Sequence, residues 1–254
     1  MTAKTSPVAE QEPLAIRTVD LTKEYGQFVS VDSLSVEIER GETVGLFGPN
    51  GAGKTTFLRM LAGLTRPTRG TVSIHGTEFE LDNQRLRERI GVVTHDSMLY
   101  DELTARENLH FHANLHGLSS VTRQTEEVLE TVGLTSRASR RPPEFSHGLR
   151  KRLALGRALL HDPDLLLLDE PYTGLDQRAG ADFSAALNDL TEKTIVLTTH
   201  GLERGLSHCS RALVLDSGRL EADFSTTSLS SEEFEERYRE TIGLPSEETT
   251  VEHE

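Results

Sequence analysis

The stretch GPNGAGKTT, at Gly48–Thr56, matches the pattern G-x-x-x-x-G-K-[ST] of a phosphate-binding loop. Glycines in such a loop let the backbone direct its N–H groups at phosphate oxygens, and the helix that follows adds the positive end of its dipole. A β-prone apolar run, Thr43–Phe47, precedes the loop, and apolar residues at helical spacing follow it. The pattern therefore predicts that the phosphates of a nucleotide are bound by Gly48, Pro49, Asn50, Gly51, Ala52, Gly53, Lys54, Thr55 and Thr56.

Two side chains of this loop have predicted roles of their own. Lys54 would reach the β- and γ-phosphates as a catalytic cation, and the hydroxyl of Thr55 would bind Mg²⁺. The loop therefore predicts ATP and Mg²⁺ as cofactors.

Composition narrows the classes of protein to which the chain can belong. Its 254 residues carry a net charge of −14, which argues against a nucleic-acid partner because neutralising phosphates requires clustered Lys and Arg. Cys209 is the single cysteine, so no internal disulfide is expected. No stretch is apolar and long enough to cross a bilayer, and no signal core is present at the N-terminus. We expect a cytoplasmic protein that does not insert into the membrane and contacts it only through a partner.

The N-terminal part of the chain is polar and then becomes rich in β-strand patterns. Residues 1–13 contain two prolines and no periodicity, which is typical of a disordered segment. Alternating apolar residues between turn signals then predict strands at Ile16–Val19, Val31–Ile38, Thr43–Phe47 and Thr71–Ile74.

From about Asp82 the pattern becomes helical. Thr104 and Glu107 have the spacing of a capping box, which predicts the start of a helix that Gly117 ends. A second helix is expected from near Ser120 to Val132.

Strands and helices alternate again in the C-terminal half. A helix carrying Leu149, Leu153 and Leu160 should stop at Pro163. Further strands are predicted at Leu165–Leu168, Thr194–Thr199 and Arg211–Leu215, and the unbroken apolar run of the first is typical of a parallel strand covered on both faces. The chain ends in an acidic stretch with one amphipathic helix pattern. This alternation predicts an α/β fold.

Three of the predicted strands end in residues suited to nucleoside triphosphate chemistry. One leads into the phosphate-binding loop, one into Asp169 and Glu170, and one into His200. Because ligands of open parallel sheets lie at the carboxyl ends of strands, we expect these groups to meet. Asp169 would hold Mg²⁺ directly or through water, Glu170 would orient or deprotonate the attacking water, and His200 would contact the γ-phosphate.

With these residues in view, the chain resembles the ATP-binding subunits of ATP-binding cassette (ABC) transporters over roughly Leu14–Asp223. LLLLDEPYTGLD at Leu165–Asp176 is similar to the Walker B strand and D-loop of the family, and TTH at Thr198–His200 to its switch histidine. Tyr25 falls where the family keeps an aromatic residue that stacks on adenine.

The resemblance implies a P-loop NTPase with a RecA-like core, an antiparallel β subdomain and a helical ABC-signature subdomain. It implies a nucleotide-binding domain over 14–225, with the helical subdomain at about 96–150, and an acidic C-terminal tail over 226–254. An ATP hydrolase with this architecture powers a membrane-spanning partner subunit from the cytoplasmic face of the cell membrane.

FSHGLRKRLALGRALL, at Phe145–Leu160, resembles the signature of this family, usually written LSGGQ. The resemblance implies that Ser146 and Gly148 contact the γ-phosphate held by a second subunit in a head-to-tail dimer, whose partner is either identical or different. A hydroxyl and a glycine N–H at a helix N-terminus agree with an anion site. His147 and Leu149 stand where the family has glycine and glutamine.

A further departure lies in the loop between the subdomains, where His95 stands in place of the usual Gln. That Gln contacts the metal and relays its state to the membrane subunits, so the resemblance implies that His95 takes over this role at the Mg²⁺ site. The alternative is an exposed loop histidine with no such function.

The transported substrate is indicated only by similarity of short segments. HDSMLYDELTARENLHFHA and TTHGLERGL resemble the haem-exporter ATPases of cytochrome c maturation, which predicts haem export. The alternatives are an exporter of lipid, drug or polysaccharide, and a soluble ABC ATPase that serves no transporter.

Overall fold

The computed structural model describes residues 14–79, 83–94 and 96–244, so the predictions made for residues 1–13 and for His95 lie outside the described residues. The first half of the chain contains β1 (Leu14–Tyr25), β2 (Phe28–Leu34), β3 (Glu37–Glu39), β4 (Thr43–Phe47), α1 (Lys54–Leu61), β5 (Arg69–Ile74), β6 (Thr77–Glu78), α2 (Gln84–Arg87) and β7 (Ile90–Val93). The second half contains α3 (Ala105–Leu115), α4 (Val121–Thr131), α5 (His147–Leu159), β8 (Leu165–Asp169), α6 (Gln177–Asn188), β9 (Thr194–Thr198), α7 (Leu202–Leu206), β10 (Arg211–Asp216), β11 (Arg219–Ser225) and α8 (Ser231–Thr241).

The central sheet has six strands in the order β11-β10-β4-β9-β8-β7. They run parallel apart from β11, which pairs antiparallel with β10. Alternate residues of β8 face opposite sides, because Leu166 and Leu168 join one apolar cluster while Leu165 and Leu167 join the other. The predicted α/β class is confirmed, and the ends of β4, β9 and β8 lie side by side at one edge.

A second sheet packs beside the first and is antiparallel throughout. It has the order β2-β1-β5-β6, with β3 paired to β1. The strand predicted at Val31–Ile38 is divided in two, since β2 ends at Leu34 and β3 begins at Glu37. Ser33, inside β2, has a φ of +51° and lies at a register shift of the ladder with β1, which still pairs Leu34 with Leu21.

The helices of the middle segment agree with the sequence patterns. Thr104 caps α3, its Oγ1 accepting from Glu107 N at 3.2 Å while Thr104 N donates to the Glu107 carboxylate at 2.8 Å. α4 forms the second predicted helix, and α5 the helix expected before Pro163. The helical character predicted from about Asp82 is wrong for Ile90–Val93, which forms β7 alongside β8. A four-residue apolar run has no period of its own, so only its neighbour in the sheet decides its conformation.

The acidic C-terminal stretch contains α8, which packs on the core through its apolar face. Phe234 is fully buried, and its ring lies edge-on to Phe47 at 4.8 Å between centroids. Phe47 is the last residue of β4, so α8 lies close behind the phosphate-binding loop. In the described part of the chain, no helix combines the length and apolarity that crossing a membrane requires.

Candidate nucleotide-binding and hydrolysis site

The phosphate-binding loop joins β4 to α1, and its glycines fit where a side chain would not. Gly48 has a φ of +146°, and a Cβ there would lie 2.1 Å from Leu215 O. Gly53 has a φ of +99°, and a Cβ there would lie 2.3 Å from Ser30 O. The loop is therefore closed directly against β10 and β2, and glycine is required at both contacts.

Short hydrogen bonds fix the remainder of the loop. Ala52 N donates to Pro49 O at 3.2 Å, and Ala52 O accepts from Gly218 N at 3.1 Å. At the start of α1, the hydroxyl of Thr56 accepts from Ser30 Oγ at 2.8 Å. Asn50 and Gly51 form the exposed rim, so a nucleotide can approach the loop from solvent.

Lys54 is buried inside the loop that it is predicted to serve. Its Nζ donates to Gly48 O at 2.7 Å and to Pro49 O at 2.9 Å, which holds the ammonium over the loop. Burial lowers the pKa of Lys54, while the nearby carboxylates of Glu170 and Asp169 act to raise it. The arrangement keeps a positive charge where phosphates would lie.

Asp169 is the centre of a small group of oxygen atoms. It is the last residue of β8, it is 5% exposed, and it pairs with Thr198 of β9 in the sheet. Its Oδ1 accepts hydrogen bonds from Thr55 Oγ1 and from Thr198 Oγ1, each at 2.9 Å. The end of β8 is thereby connected to the first turn of α1 and to the end of β9.

Glu170 follows Asp169 with its backbone in the left-handed region, at a φ of +49°. Its N–H donates to Thr198 Oγ1 at 2.8 Å. Its Oε2 accepts from Thr173 Oγ1 at 3.1 Å and lies 2.8 Å from His200 Nδ1. The two predicted catalytic side chains are therefore in direct contact, with the carboxylate oriented by hydroxyl and imidazole.

The donor set around Asp169 fits Mg²⁺. The Thr55 hydroxyl and the Asp169 carboxylate oxygen are the hard oxygen ligands that this ion prefers, and they are adjacent in space. In residues 14–79, 83–94 and 96–244, no cluster of three or more His, Cys, Asp and Glu side chains is present. A single carboxylate is what a site needs when substrate phosphates and water complete the coordination.

The remaining predicted site residues lie apart from this group. Tyr25 ends β1, is 50% exposed, and has Lys23 Nζ 5.0 Å from its ring centroid. Ser146 caps α5, accepting from Leu149 N at 3.4 Å, and Gly148 is packed so closely on α6 that a Cβ would lie 2.5 Å from that of Ala179. No hydrogen bond among the described residues joins Tyr25, Ser146 or Gly148 to the loop. Their roles toward adenine and toward the nucleotide of a second subunit stay predictions.

Sequence reasoning missed the residues that support Glu170. Thr198 and Thr173 contact it as described above, and the buried Lys151 donates from α5 to Glu170 O at 3.1 Å. Thr198 lies within the segment TTH and Thr173 lies three residues after Glu170, so both could have been found from their positions relative to the motifs. No sequence pattern indicated Lys151, because its contact with Glu170 O depends on how α5 packs against the end of β8.

Comparison with known proteins identifies the family of this chain. The sequence pattern of the ABC transporter family matches residues 31–173. The Nod factor export ATP-binding protein I of Cupriavidus metallidurans is 42% identical over 204 residues, which cover 79% of this chain and 67% of that protein. The linearmycin resistance ATP-binding protein LnrL of Bacillus subtilis is 34% identical over 220 residues, covering 85% of this chain and 71% of that protein.

Solved structures are similar as well. A dimeric ATP-binding cassette in a post-hydrolysis state, bound to ADP and Pi, superposes with a TM-score of 0.76 at 27% identity, covering 84% of this chain and 100% of that chain. An ATP-binding subunit of an ABC transporter superposes with a TM-score of 0.76 at 29% identity, over 88% of this chain and 99% of that chain. ABC ATPase subunits dimerise head to tail and pair with the membrane subunits of a transporter. The chain belongs to the ABC transporter family, as an ATPase subunit that binds ATP with Mg²⁺ and hydrolyses it.

Proposed function

We propose that this chain powers an ABC exporter by hydrolysing ATP at the edge formed by β4, β9 and β8. The observation that carries the proposal is the joined group in which Thr55 contacts Asp169 and Glu170 contacts His200. Phosphoryl transfer depends mainly on positioning and charge stabilisation, and this group supplies both beside the loop.

The side chains divide the work of hydrolysis. Lys54 and the loop N–H groups hold the phosphates, and Thr55 and Asp169 would hold Mg²⁺, which neutralises charge on the phosphates when bound. Glu170 accepts a proton from the attacking water. The oxygen of that water bonds to the γ-phosphorus as the bond between the γ-phosphorus and ADP breaks. His200 contacts the γ-phosphate and, through Glu170 Oε2, keeps the carboxylate in place.

Ser146 and Gly148 would complete the site of a second subunit. Both lie at the N-terminus of α5, where the Ser146 hydroxyl is exposed and helix N–H groups favour an anion. In a head-to-tail dimer, whether of identical or different chains, each signature would face the ATP of the other subunit. We propose that the dimer sits on the cytoplasmic face of the membrane, bound to membrane-spanning subunits.

For the substrate, we propose an exporter of lipid, drug or polysaccharide in preference to haem. Relatives named for Nod factor export and for linearmycin resistance support this choice. The resemblance of short segments to haem exporters remains a weaker hypothesis, because no relative reported above is named for haem.

The Glu170→Gln variant tests hydrolysis. Removing the base should lower kcat by about 10²–10³-fold, because general bases contribute on this scale, while ATP binding stays unchanged. Glu192→Gln, an exposed change before the N-terminal end of β9 and opposite the catalytic edge, is the matched control and should turn over like the parent chain. Turnover of Glu170→Gln at the parent rate would reject the assignment of the base.

Capture of the partner tests transport. The tagged full chain should co-purify from solubilised membranes with a multi-span protein. The rate of ATP hydrolysis by the reconstituted pair should increase on addition of an amphiphilic antibiotic or a lipid-linked oligosaccharide, and haemin should not increase it. Stimulation by haemin alone would restore the haem hypothesis, and capture of ribosomes without a membrane protein would favour a non-transport ATPase.

A further inference from the structure

The turn that carries Glu170 is supported from the signature helix of the same subunit. Lys151 Nζ donates to Glu170 O at 3.1 Å, and His147 Nε2 lies 3.2 Å from Thr173 O. His147 and Lys151 are four residues apart on α5, so both project from one face of the helix. That face is therefore attached to the chain segment that follows the catalytic carboxylate.

Lys151 is buried to an unusual degree for a lysine. It is 5% exposed, and burial lowers its pKa, with Asp169 and Glu170 acting in the opposite direction. In the described part of the chain, the hydrogen bond it donates is to Glu170 O. A buried ammonium is costly to desolvate, and an apolar side chain of similar length would fill the space with less penalty. The buried ammonium of Lys151 therefore indicates a function in addition to packing.

The hydrogen bond from Lys151 acts on the backbone of Glu170 itself. Thr198 Oγ1 accepts from the N–H of Glu170, and Glu170 O accepts from Lys151 Nζ at 3.1 Å and from Thr173 N at 3.3 Å, so both peptide groups around its Cα are held. Between them the backbone has a φ of +49°, a conformation that a non-glycine residue keeps only when its surroundings impose it. The direction of the Glu170 side chain follows from this backbone conformation.

We propose that Lys151 is a positioning residue for Glu170, which ties the signature helix to the catalytic carboxylate of its own subunit. The inference rests on the proposed function, since it assumes that Glu170 is the base. The N-terminus of α5 carries Ser146 and Gly148, the groups expected to meet the nucleotide of the second subunit. Engagement of that nucleotide therefore sets the position of Glu170 in the first subunit through Lys151.

The first test compares the steady-state kinetics of variants of the full chain. Lys151→Met should lower kcat by about ten- to a hundredfold, because misplacement of a catalytic group by about 1 Å has effects of this size, while KM for ATP changes less than about twofold. Lys151→Arg should restore most of kcat, since it can still donate to the carbonyl. Arg150→Met is the matched control, because Arg150 points to Asp101 at 2.6 Å, and it should keep the parent kcat.

A double-mutant comparison separates positioning from a structural role. In the Glu170→Gln background, Lys151→Met should cause no further loss of residual hydrolysis, because the group it positions is already absent. ATP-dependent association, measured by light scattering, should be as strong in the double variant as in Glu170→Gln alone. An additional loss of hydrolysis, or loss of association, would overturn the inference.

The outcomes also separate this inference from the proposed function. If Glu170→Gln hydrolyses ATP at the parent rate, the function assigned to Glu170 fails. If Glu170→Gln is inactive but Lys151→Met keeps the parent kcat, only the role of Lys151 fails. Should Lys151→Met not fold, Lys151→Ala provides the same comparison with a side chain that cannot donate to Glu170 O, and a parent kcat in that variant overturns the inference equally.

Discussion

Two turns at the edge of the central sheet perform the chemistry, and they are built in opposite ways. The phosphate-binding loop is held by side-chain hydrogen bonds within itself, with Lys54 donating to Gly48 O and Pro49 O, and by close backbone contacts with the adjacent strands β10 and β2. The turn that begins at Glu170 has two backbone hydrogen bonds of its own, from Thr173 N to Glu170 O and from Leu175 N to Tyr172 O, but it is also held from outside. Its carbonyl groups accept from side chains on two other helices: Lys151 and His147 of α5, and Arg204 of α7, which donates to Leu175 O at 3.0 Å.

This difference indicates which structural changes should affect the phosphate-binding loop and which should affect the catalytic turn. A loop closed by local hydrogen bonds keeps its shape as long as its own residues are intact. A turn held by distant side chains follows the helices that carry them, so movements of α5 and α7 reach Glu170. Binding of phosphate should therefore depend on the loop alone, whereas the rate of hydrolysis should depend on the packing of the helices.

The largest effect is expected from Lys54→Met, which removes the charge inside the self-contained loop. Loss of a preorganised cation at the phosphates should lower kcat/KM by about 10³-fold, and ATP affinity should fall with it. Calorimetric titration of ATP and steady-state hydrolysis measure both quantities. Lys193→Met is the control, because Lys193 pairs with Asp162 away from the site. An unchanged ATP affinity in Lys54→Met would contradict this view of the loop, since ATP binding would then not depend on the lysine within it.

The next largest effect is expected from Gly53→Ala. Its Cβ would lie 2.3 Å from Ser30 O at a φ of +99°, so the substitution should lower the free energy of unfolding by about 2–4 kcal/mol. Gly51→Ala is a matched control, because Gly51 has a φ of +85° but no atom within 4 Å of the added Cβ. It should cost only about 1–2 kcal/mol, from the backbone strain alone. Equal free energies of unfolding for Gly53→Ala and Gly51→Ala, measured by chemical denaturation, would contradict the close contact at Gly53.

These two turns also mark what could be predicted from sequence. The loop and its flanking strand and helix were predicted because every determinant lies within Thr43–Leu61. The contact between Glu170 and His200 followed from the general geometry of parallel sheets. β7 was missed because a four-residue apolar run has no period, and Val31–Ile38 was predicted as one strand because no glycine or proline marks the break between Leu34 and Glu37.

The supports of the catalytic turn lay beyond sequence reasoning for a physical reason. Lys151, His147 and Arg204 are 19, 26 and 29 residues from the carbonyl groups they contact. Basic residues on amphipathic helices are usually solvated, and only the tertiary packing of α5 and α7 brings these three side chains to the backbone of the turn, where Lys151 is buried and His147 stays exposed. Sequence patterns specify the face of a helix but not which backbone atom a long side chain reaches.

Arg204→Met should have a moderate effect that falls on the catalytic turn and spares the loop. Its guanidinium donates to Leu175 O and packs on Gly180, where a Cβ would lie 3.0 Å from Nη1. A hydrogen bond from a charged group contributes about 1.5 kcal/mol at the low end of its range, so kcat should fall by about tenfold. ATP affinity should stay at the parent value, and Arg178→Met, an exposed change on α6, should alter neither quantity. A loss of ATP affinity in Arg204→Met would show that the two turns are not independent.

The smallest effect is expected from His147→Ala, and it is the sharpest test of how the turn is held. The change removes the imidazole that packs on Gly174 and the hydrogen bond to Thr173 O, while alanine keeps the start of α5 helical. A neutral hydrogen bond contributes about 0.5–1 kcal/mol, so kcat should fall by about two- to fivefold with KM unchanged. His147→Gln, which can still donate to the carbonyl, should recover most of the loss. Because His147 is also next to Ser146, a rise in KM with unchanged kcat would assign it to the nucleotide of the second subunit, and α5 would then support Glu170 through Lys151 alone.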